Sequence, residues 1–381
     1  MGEKNTLSKL KELGSMDIKD IGKLFKKDTL NNKEFNIEAK NIIRNPIKEK
    51  SKLVLAIDLG NNSVKLAEGR LDKGSININK LKKIKIKEDI IGDGNIINKI
   101  ELEIILRNAI VDNDIKAKDV VITTNSSSII NRDILIPVVK EEELDTVVKY
   151  EIQQYLPINL DDYVVQFLVL DKVKDKDIEK LKVNVTAFPQ RISLSYYNLI
   201  NSLELNPYAL DVNYNSITKF SNYMEDIKLN LEKSTAAFVD MGATTINVSI
   251  LKNGKLDFTR LIKIGGDNID YALVQNSNMS IKATEDITKE DLSNPFIKEI
   301  LDELVLELER IFQFYKNKSQ NSIDKIYIYG GVSYVEGLDK YLQEKLFIKV
   351  NKLVEFKNIK TKQNSEEISL YLNAIGSIIR L

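Results

Sequence analysis

The chain has 381 residues, balances 56 Lys+Arg against 56 Asp+Glu, and holds neither cysteine nor histidine. Its length exceeds the roughly 100–200 residues of one domain and predicts two or more subdomains, while a formal charge of zero leaves no global field to hold nucleic acid or an anionic membrane. Without Cys and His there are no disulfides, thiolate nucleophiles, Cys/His zinc sites or Ser-His-Asp triads, so a bound metal must be a hard cation on oxygen ligands.

Residues 1–50 are polar and Lys-rich and read as a flexible extension with short amphipathic pieces at Leu7–Leu10 and Ile18–Leu24. Within it, Gly22–Lys27 also reads as a weak membrane-surface or partner-binding helix. The start is too polar for a secretory signal peptide. No apolar run approaches the ~20 residues that span a bilayer, which predicts a cytoplasmic protein.

Order begins at Leu53–Asp58, an apolar strand running into Gly60. Strands follow at Ser63–Leu71 and, by alternation, Ile76–Ile86, with Gly69–Gly74 and Asn95 in turn-like stretches. Ile96–Val111 has helical periodicity, and Val120–Thr124 reads as a buried strand. This order makes a mixed α/β layer rather than an alternating βαβ chain. From about 130 to 203 the pattern changes to a small α+β insertion. It holds strands at Ile134–Pro137, Tyr163–Leu170 and Lys182–Phe188, a charged helix over Lys140–Leu156 stopped by Pro157, and a helix over Ile192–Leu203.

From Thr235 the opening pattern returns. Ala236–Asp240 repeats the apolar strand closed by Asp-x-Gly, and strands at Thr245–Leu251 and Leu256–Ile264 follow. A helix starts near Asn268, and a long one runs from Pro295 to Asn317. The same order of elements thus occurs twice, about 180 residues apart, and implies two related half-domains. The predicted division is 1–50, 51–212 with the insertion, and 213–381.

Three constellations carry chemistry. In Asp58-Leu-Gly-Asn-Asn-Ser-Val-Lys65, Gly60 lets backbone N–H groups approach an anion. Asn61, Asn62 and Ser63 offer donors, Asp58 can hold magnesium through water, and Lys65 brings positive charge. Alone, the motif reads equally as a hairpin with an Asn-rich turn. Asp240-Met-Gly-Ala-Thr-Thr-Ile-Asn247 is the same device, with Gly242, Ala243, Thr244 and Thr245 at its tip. Two such tips can pinch a polyphosphate, with Asp58 and Asp240 sharing one hydrated cation. The third is the junction Gly330-Gly331-Val332 after the strand Ile326–Tyr329, where bare backbone could lie against a base and ribose. Gly265-Gly266 is a similar junction.

Together these residues resemble the actin, heat-shock chaperone and sugar kinase ATPase superfamily. Asp58–Lys65 is similar to its first phosphate loop, Asp240–Asn247 to the second, and Gly330–Gly337 to its adenosine motif. Within it, Ile57–Leu66, Tyr150–Pro157, Thr259–Gly266 and the closing Leu372–Arg380 resemble the PilM family of type IV pilus assembly proteins, relatives of the cell-division protein FtsA. The resemblance implies an actin-like ATPase fold, α/β, with two half-domains around a nucleotide cleft. It implies ATP and Mg2+ as ligands. It also implies that Glu307 and Arg310, three apart on the helix before the adenosine motif, read ribose and adenine, although at that spacing they equally make a surface ion pair.

The resemblance further implies an adaptor of a pilus, or related type II secretion, inner-membrane platform. Such a protein is peripheral to the cytoplasmic face of the inner membrane. It binds the cytoplasmic N-terminal tail of a PilN-like membrane protein through the region from about Tyr150 to Tyr163, contacts other platform proteins, and is compatible with a homo-oligomer. No catalytic residue is identified. Glu151 and Gln154 could orient water toward a γ-phosphate, but their Glu- and Lys-rich helix reads equally as a solvated face, so slow or absent hydrolysis is expected. Two alternatives stand beside the adaptor. One is an FtsA-like filament-forming membrane tether, against which the chain's end at Ile378–Leu381 argues; the other is a small-molecule kinase with an acceptor site.

Overall fold

The computed structural model describes residues 51–155, 159–276, 292, 294–362 and 365–380. The 1–50 extension and Pro157, expected to stop a helix, lie outside the described residues. Among these residues, contacts divide the chain into two compact units, 126–210 and 50–125 with 211–380.

The second of these units opens with β1 (Val54–Leu59), whose six residues are all buried. Strands β2 (Ser63–Asp72) and β3 (Ser75–Lys85) meander antiparallel beside it. The β2–β3 turn falls at Lys73-Gly74, both left-handed. Gly69, expected in that turn, instead lies inside β2 at a register shift opposite β3, a position where glycine suits a bulge. A two-residue pair, β4 (Ile91–Gly92) and β5 (Asn95–Ile96), leads to α1 (Lys99–Asp112). The side chain of Asn98 caps this helix by accepting from the Glu101 N–H, supplying a partner to an otherwise orphaned donor. Strand β6 (Asp119–Thr124) then runs parallel to β1.

The unit of residues 126–210 has a three-stranded antiparallel sheet in the order β7-β9-β8, from β7 (Ile130–Pro137), β8 (Tyr163–Asp175) and β9 (Ile178–Pro189). Between β7 and β8 comes α2 (Glu141–Tyr155). Its Val148 and Ile152 pack with Ile134, Ile136, Val183 and Val185 into a small core. The β8–β9 hairpin runs to Asp175 and Ile178, farther than the apolar alternation suggested. Helix α3 (Gln190–Ser202) and β10 (Asn206–Val212) close this excursion.

The chain continues through α4 (Asn213–Tyr223) and α5 (Glu225–Leu231) into β11 (Thr235–Met241), again wholly buried. Strands β12 (Ile246–Lys252) and β13 (Lys255–Ile262) meander beside it. Then come α6 (Gly266–Asn276) and α7 (Pro295–Ser319). The buried face of α7 repeats at three and four residues: Ile297, Leu301, Leu304, Leu308, Ile311 and Tyr315, the stripe of a core-facing helix. Strand β14 (Lys325–Tyr329) lies parallel to β11, and after α8 (Leu338–Leu346) β15 (Lys349–Lys352) lies parallel to β14. Strand β16 (Ile359–Thr361) returns to pair with β3, and α9 (Leu372–Ile378) ends the fold with all seven residues buried.

The duplication read from sequence is therefore structural. In each half a buried central strand pairs antiparallel with the strand after it and parallel with the strand that follows the helix. One sheet holds β6-β1-β2-β3-β16 in that order, and the other is β13-β12-β11-β14-β15.

Candidate functional site

Asp58 and Asp240 sit at matching positions on the two central strands. Asp58 faces Lys65 across β1–β2, and Asp240 faces Asn247 across β11–β12, each partner seven residues on. The loops between them close identically. The Gly60 N–H donates to Ser63 O at 3.2 Å, and the Gly242 N–H to Thr245 O at 3.1 Å. A Cβ on Gly60 would lie 2.9 Å from Ser63 O, and one on Gly242 2.7 Å from Thr245 O. Neither turn closes over a side chain.

The two tips meet. Asn61 Nδ2 donates to Thr244 Oγ1 at 2.8 Å. Asn62 Nδ2 donates to both carboxylate oxygens of Asp267, at 2.7 and 2.8 Å. Asp267 follows Gly265-Gly266 at the start of α6, whose first N–H groups turn onto the second loop: Gly266 donates to Gly242 O at 3.1 Å and Asp267 to Ala243 O at 2.8 Å. Burial raises the Asp267 carboxyl above its usual range, and the Asn62 bond opposes the rise. Asn125, at the end of β6, donates to Asn247 Oδ1.

Charge is concentrated beneath these tips. Lys65 Nζ lies 3.4 Å from Asp58 Oδ2, with both side chains largely buried. Asp240 is buried and its carboxyl is pushed up to about 6 by burial; Lys65 and the Asn373 hydrogen bond pull it down, and the charge of Asp58 adds to the rise. Lys65 thus acts on both carboxylates. Asn373, on α9, donates to Asp240 Oδ2 at 2.7 Å and accepts from the Tyr329 hydroxyl at 3.3 Å.

The Gly-Gly junction borders the same carboxylate. Gly330 is left-handed (φ 88°), and a Cβ there would lie 2.8 Å from Asp240 Oδ1. Gly331 differs, because a Cβ on it would meet nothing within 4 Å, leaving open space beside bare backbone. Val332 is buried in the second half's core, so only its main chain is left for a ligand.

These residues fit a magnesium–polyphosphate group. Among the described residues no set of three or more carboxylates is gathered for a metal. A cation here would therefore rest on two aspartates and take its other ligands from phosphate and water, as magnesium does. Asn62 Oδ1 is buried without a hydrogen-bond partner, an acceptor at the loop for a donor such as cation-bound water.

Two other sequence-derived residues fall outside this cluster. Glu307 and Arg310 pair with each other on α7, with Arg310 largely exposed. Glu151 and Gln154 lie on α2 in the unit of residues 126–210, Gln154 exposed. Conversely, Asp267, Asn373, Tyr329 and Asn247 belong to the site without having been singled out. Asp267 directly follows a glycine pair, and Asn373 is a polar residue inside an apolar closing stretch, so signals existed for both.

Two duplicated strand–loop–strand units with their aspartates turned on one site, and a Gly-Gly junction beside them, define an actin-like ATPase fold. A family model described as "Type IV pilus assembly protein PilM" matches residues 56–380, and the chain belongs to that family. Among solved structures it is similar to a PilM-PilN type IV pilus biogenesis complex, at 20% identity and a TM-score of 0.72, covering 85% of this chain and 97% of that one. It is also similar to the ethanolamine utilization protein EutJ from Carboxydothermus hydrogenoformans, at 15% identity and a TM-score of 0.50, covering 88% of this chain and 91% of that one. At these identities the likeness is one of fold. No helix among the described residues is long and apolar enough to cross a membrane.

Proposed function

We propose that this chain is an ATP-binding adaptor of the type IV pilus inner-membrane assembly platform, and that it captures the cytoplasmic N-terminal tail of a PilN-like membrane protein. The observation that carries the ligand half of this reading is the direct contact of the two duplicated loops over Asp58, Lys65 and Asp240. Backbone N–H groups of residues 61–63 and 243–245, at the loop tips that Gly60 and Gly242 close, cradle the phosphates, Lys65 neutralises them, and Asp58 and Asp240 hold a hydrated Mg2+. Gly330, Gly331 and Val332, with Gly265 and Gly266, accept the adenosine. Glu307 and Arg310 exchange their mutual ion pair for ribose and adenine.

Family membership supports the adaptor half, as does likeness to a structure in which PilM is bound to PilN. The protein works at the cytoplasmic face of the inner membrane, peripheral to it and among other platform proteins. The tail binds near α2, where Tyr150 and Tyr155 are exposed and the Arg132 guanidinium lies 5.1 Å from the Tyr155 ring centroid. ATP acts chiefly as a structural ligand, hydrolysed slowly or not at all.

A fluorescent peptide copying a PilN-like N-terminus, titrated with the full chain with and without MgATP, tests the adaptor. Saturable binding weakened by Tyr155→Ser is expected. A peptide that fails to bind under both conditions would remove the adaptor reading.

A further inference from the structure

Three lysines share one face of the first sheet beside the candidate site. Asp58, Lys65 and Lys83 stand opposite one another in a single row across β1, β2 and β3, and residues so paired present their side chains on the same side. Lys85, two residues on, returns to that side. It stands opposite Ser63 of the first loop, and the next residue, Ile86, donates its N–H to Asn62 O at 3.0 Å. The end of β3 is thus tied to the loop.

Without a ligand this arrangement is unfavourable. Like charges directly opposite in a sheet repel, and Lys83 is half-buried. Burial pushes its ammonium below the usual range, Lys65 and Lys85 push it the same way, and the exposed Glu367 opposes them. Lys65 already has Asp58 as its counter-charge. Lys82, in contrast, is exposed on the other face, opposite Leu66. A local rule broken in this way is expected where function requires it.

The main chain fixes where Lys83 lies. It hydrogen-bonds the hydroxyl of Tyr371, a buried residue that begins α9, the helix whose Asn373 reaches Asp240. Tyr334, two residues past Val332, acts on the same hydroxyl. Lys83 therefore links Lys65, at the phosphates, to the neighbourhood of the Gly330-Gly331-Val332 junction.

Given the nucleotide reading, on which this rests, we propose that Lys83 is a further phosphate-binding residue. MgATP keeps a net negative charge that Lys65, committed to Asp58, leaves unmatched. The Lys83 ammonium takes that charge, with Lys85 beside it, and a bound polyphosphate turns the repulsion along the row into attraction.

Calorimetry of the full chain with MgATP and with magnesium tripolyphosphate tests this. The parent should bind both. Lys83→Met should weaken each by at least about tenfold. Lys82→Met removes the same charge from the other face and should change either far less. Without ligand, Lys83→Met should melt no lower than the parent, because the change relieves a repulsion. Unchanged binding by Lys83→Met, a lower ligand-free melt, an equal loss in Lys82→Met, or a loss confined to ATP would overturn the proposal and leave the nucleotide site standing. Tripolyphosphate held through Lys83 by a parent that does not bind ATP would support the phosphate contact and remove the nucleotide reading. A parent that binds neither would remove both.

Discussion

Lys65 stands directly opposite Asp58 and holds its ammonium 3.4 Å from that carboxylate, while the equivalent position in the second half, opposite Asp240, is the neutral Asn247. The duplicated site therefore has two aspartates and one lysine between them. Asp58 has its cation at hand. Asp240 shares it at longer range and carries the raised carboxyl.

Removing that cation should damage both folding and binding. Lys65→Met leaves Asp58 buried without its partner and should cost about 1–3 kcal/mol. It should also weaken MgATP at least about tenfold, since one charge-assisted contact is worth that much. Urea denaturation and calorimetry measure the two effects; an unchanged ATP affinity would take Lys65 out of the phosphate site.

Asp240 predicts a pH signature. Its folded-state pKa, about 6, lies above the ordinary carboxyl value near 3.9. The folded state thus binds the proton more tightly than the unfolded chain. Stability from this group is full below about pH 4 and is lost as pH rises through 6. Asp240→Asn keeps an acceptor for Asn373, so this variant should be more stable than the parent by about 1–3 kcal/mol at pH 8 and hold no such advantage near pH 4. It should at the same time lose magnesium-dependent nucleotide binding. Equal stability of the two proteins across that range would refute the burial argument.

The two junction glycines should separate folding from binding. Gly330→Ala forces a left-handed residue against Asp240 and should lower stability by about 1–3 kcal/mol. Gly331→Ala enters open space and should leave stability within about 0.5 kcal/mol of the parent, yet weaken ATP severalfold by filling the space offered to adenosine. Thermal melts with and without MgATP distinguish them. Full ATP binding by Gly331→Ala would move the adenosine elsewhere.

Away from the site, Lys219 and Asp211 form a buried ion pair with Arg380 nearby. Burial alone would raise the Asp211 carboxyl, but Lys219 and Arg380 outweigh it and hold it below its usual range. Lys219→Met should therefore destabilise by about 3–5 kcal/mol, because the carboxylate stays buried. Adding Asp211→Leu should recover part of that loss, measured as a double-mutant cycle.

The halves and their loops were readable in the sequence because both central strands are buried on every residue and both end in Asp-x-Gly. Such strands need no long-range information to recognise. The outer half of the long β8–β9 hairpin was not, since it is Lys- and Asp-rich and only partly buried, which erases the alternation. Strand β10, which carries Pro207 and Asp211, and the short strands β15 and β16 lack a strand's usual signature and owe their form to the strands beside them. Within the site, contacts such as Asn373–Asp240 and Asn62–Asp267 join residues 133 and 205 positions apart. No local pattern reports such pairs. Only folding brings them into register.

The central claim is that the two loops form one nucleotide site. The most direct test is calorimetric titration of MgATP into the full chain and into the Asp58→Ala, Asp240→Ala double variant. One tight, magnesium-dependent site is expected in the parent, and its loss in the variant. Equal binding by both proteins, or no binding by the parent, would contradict it.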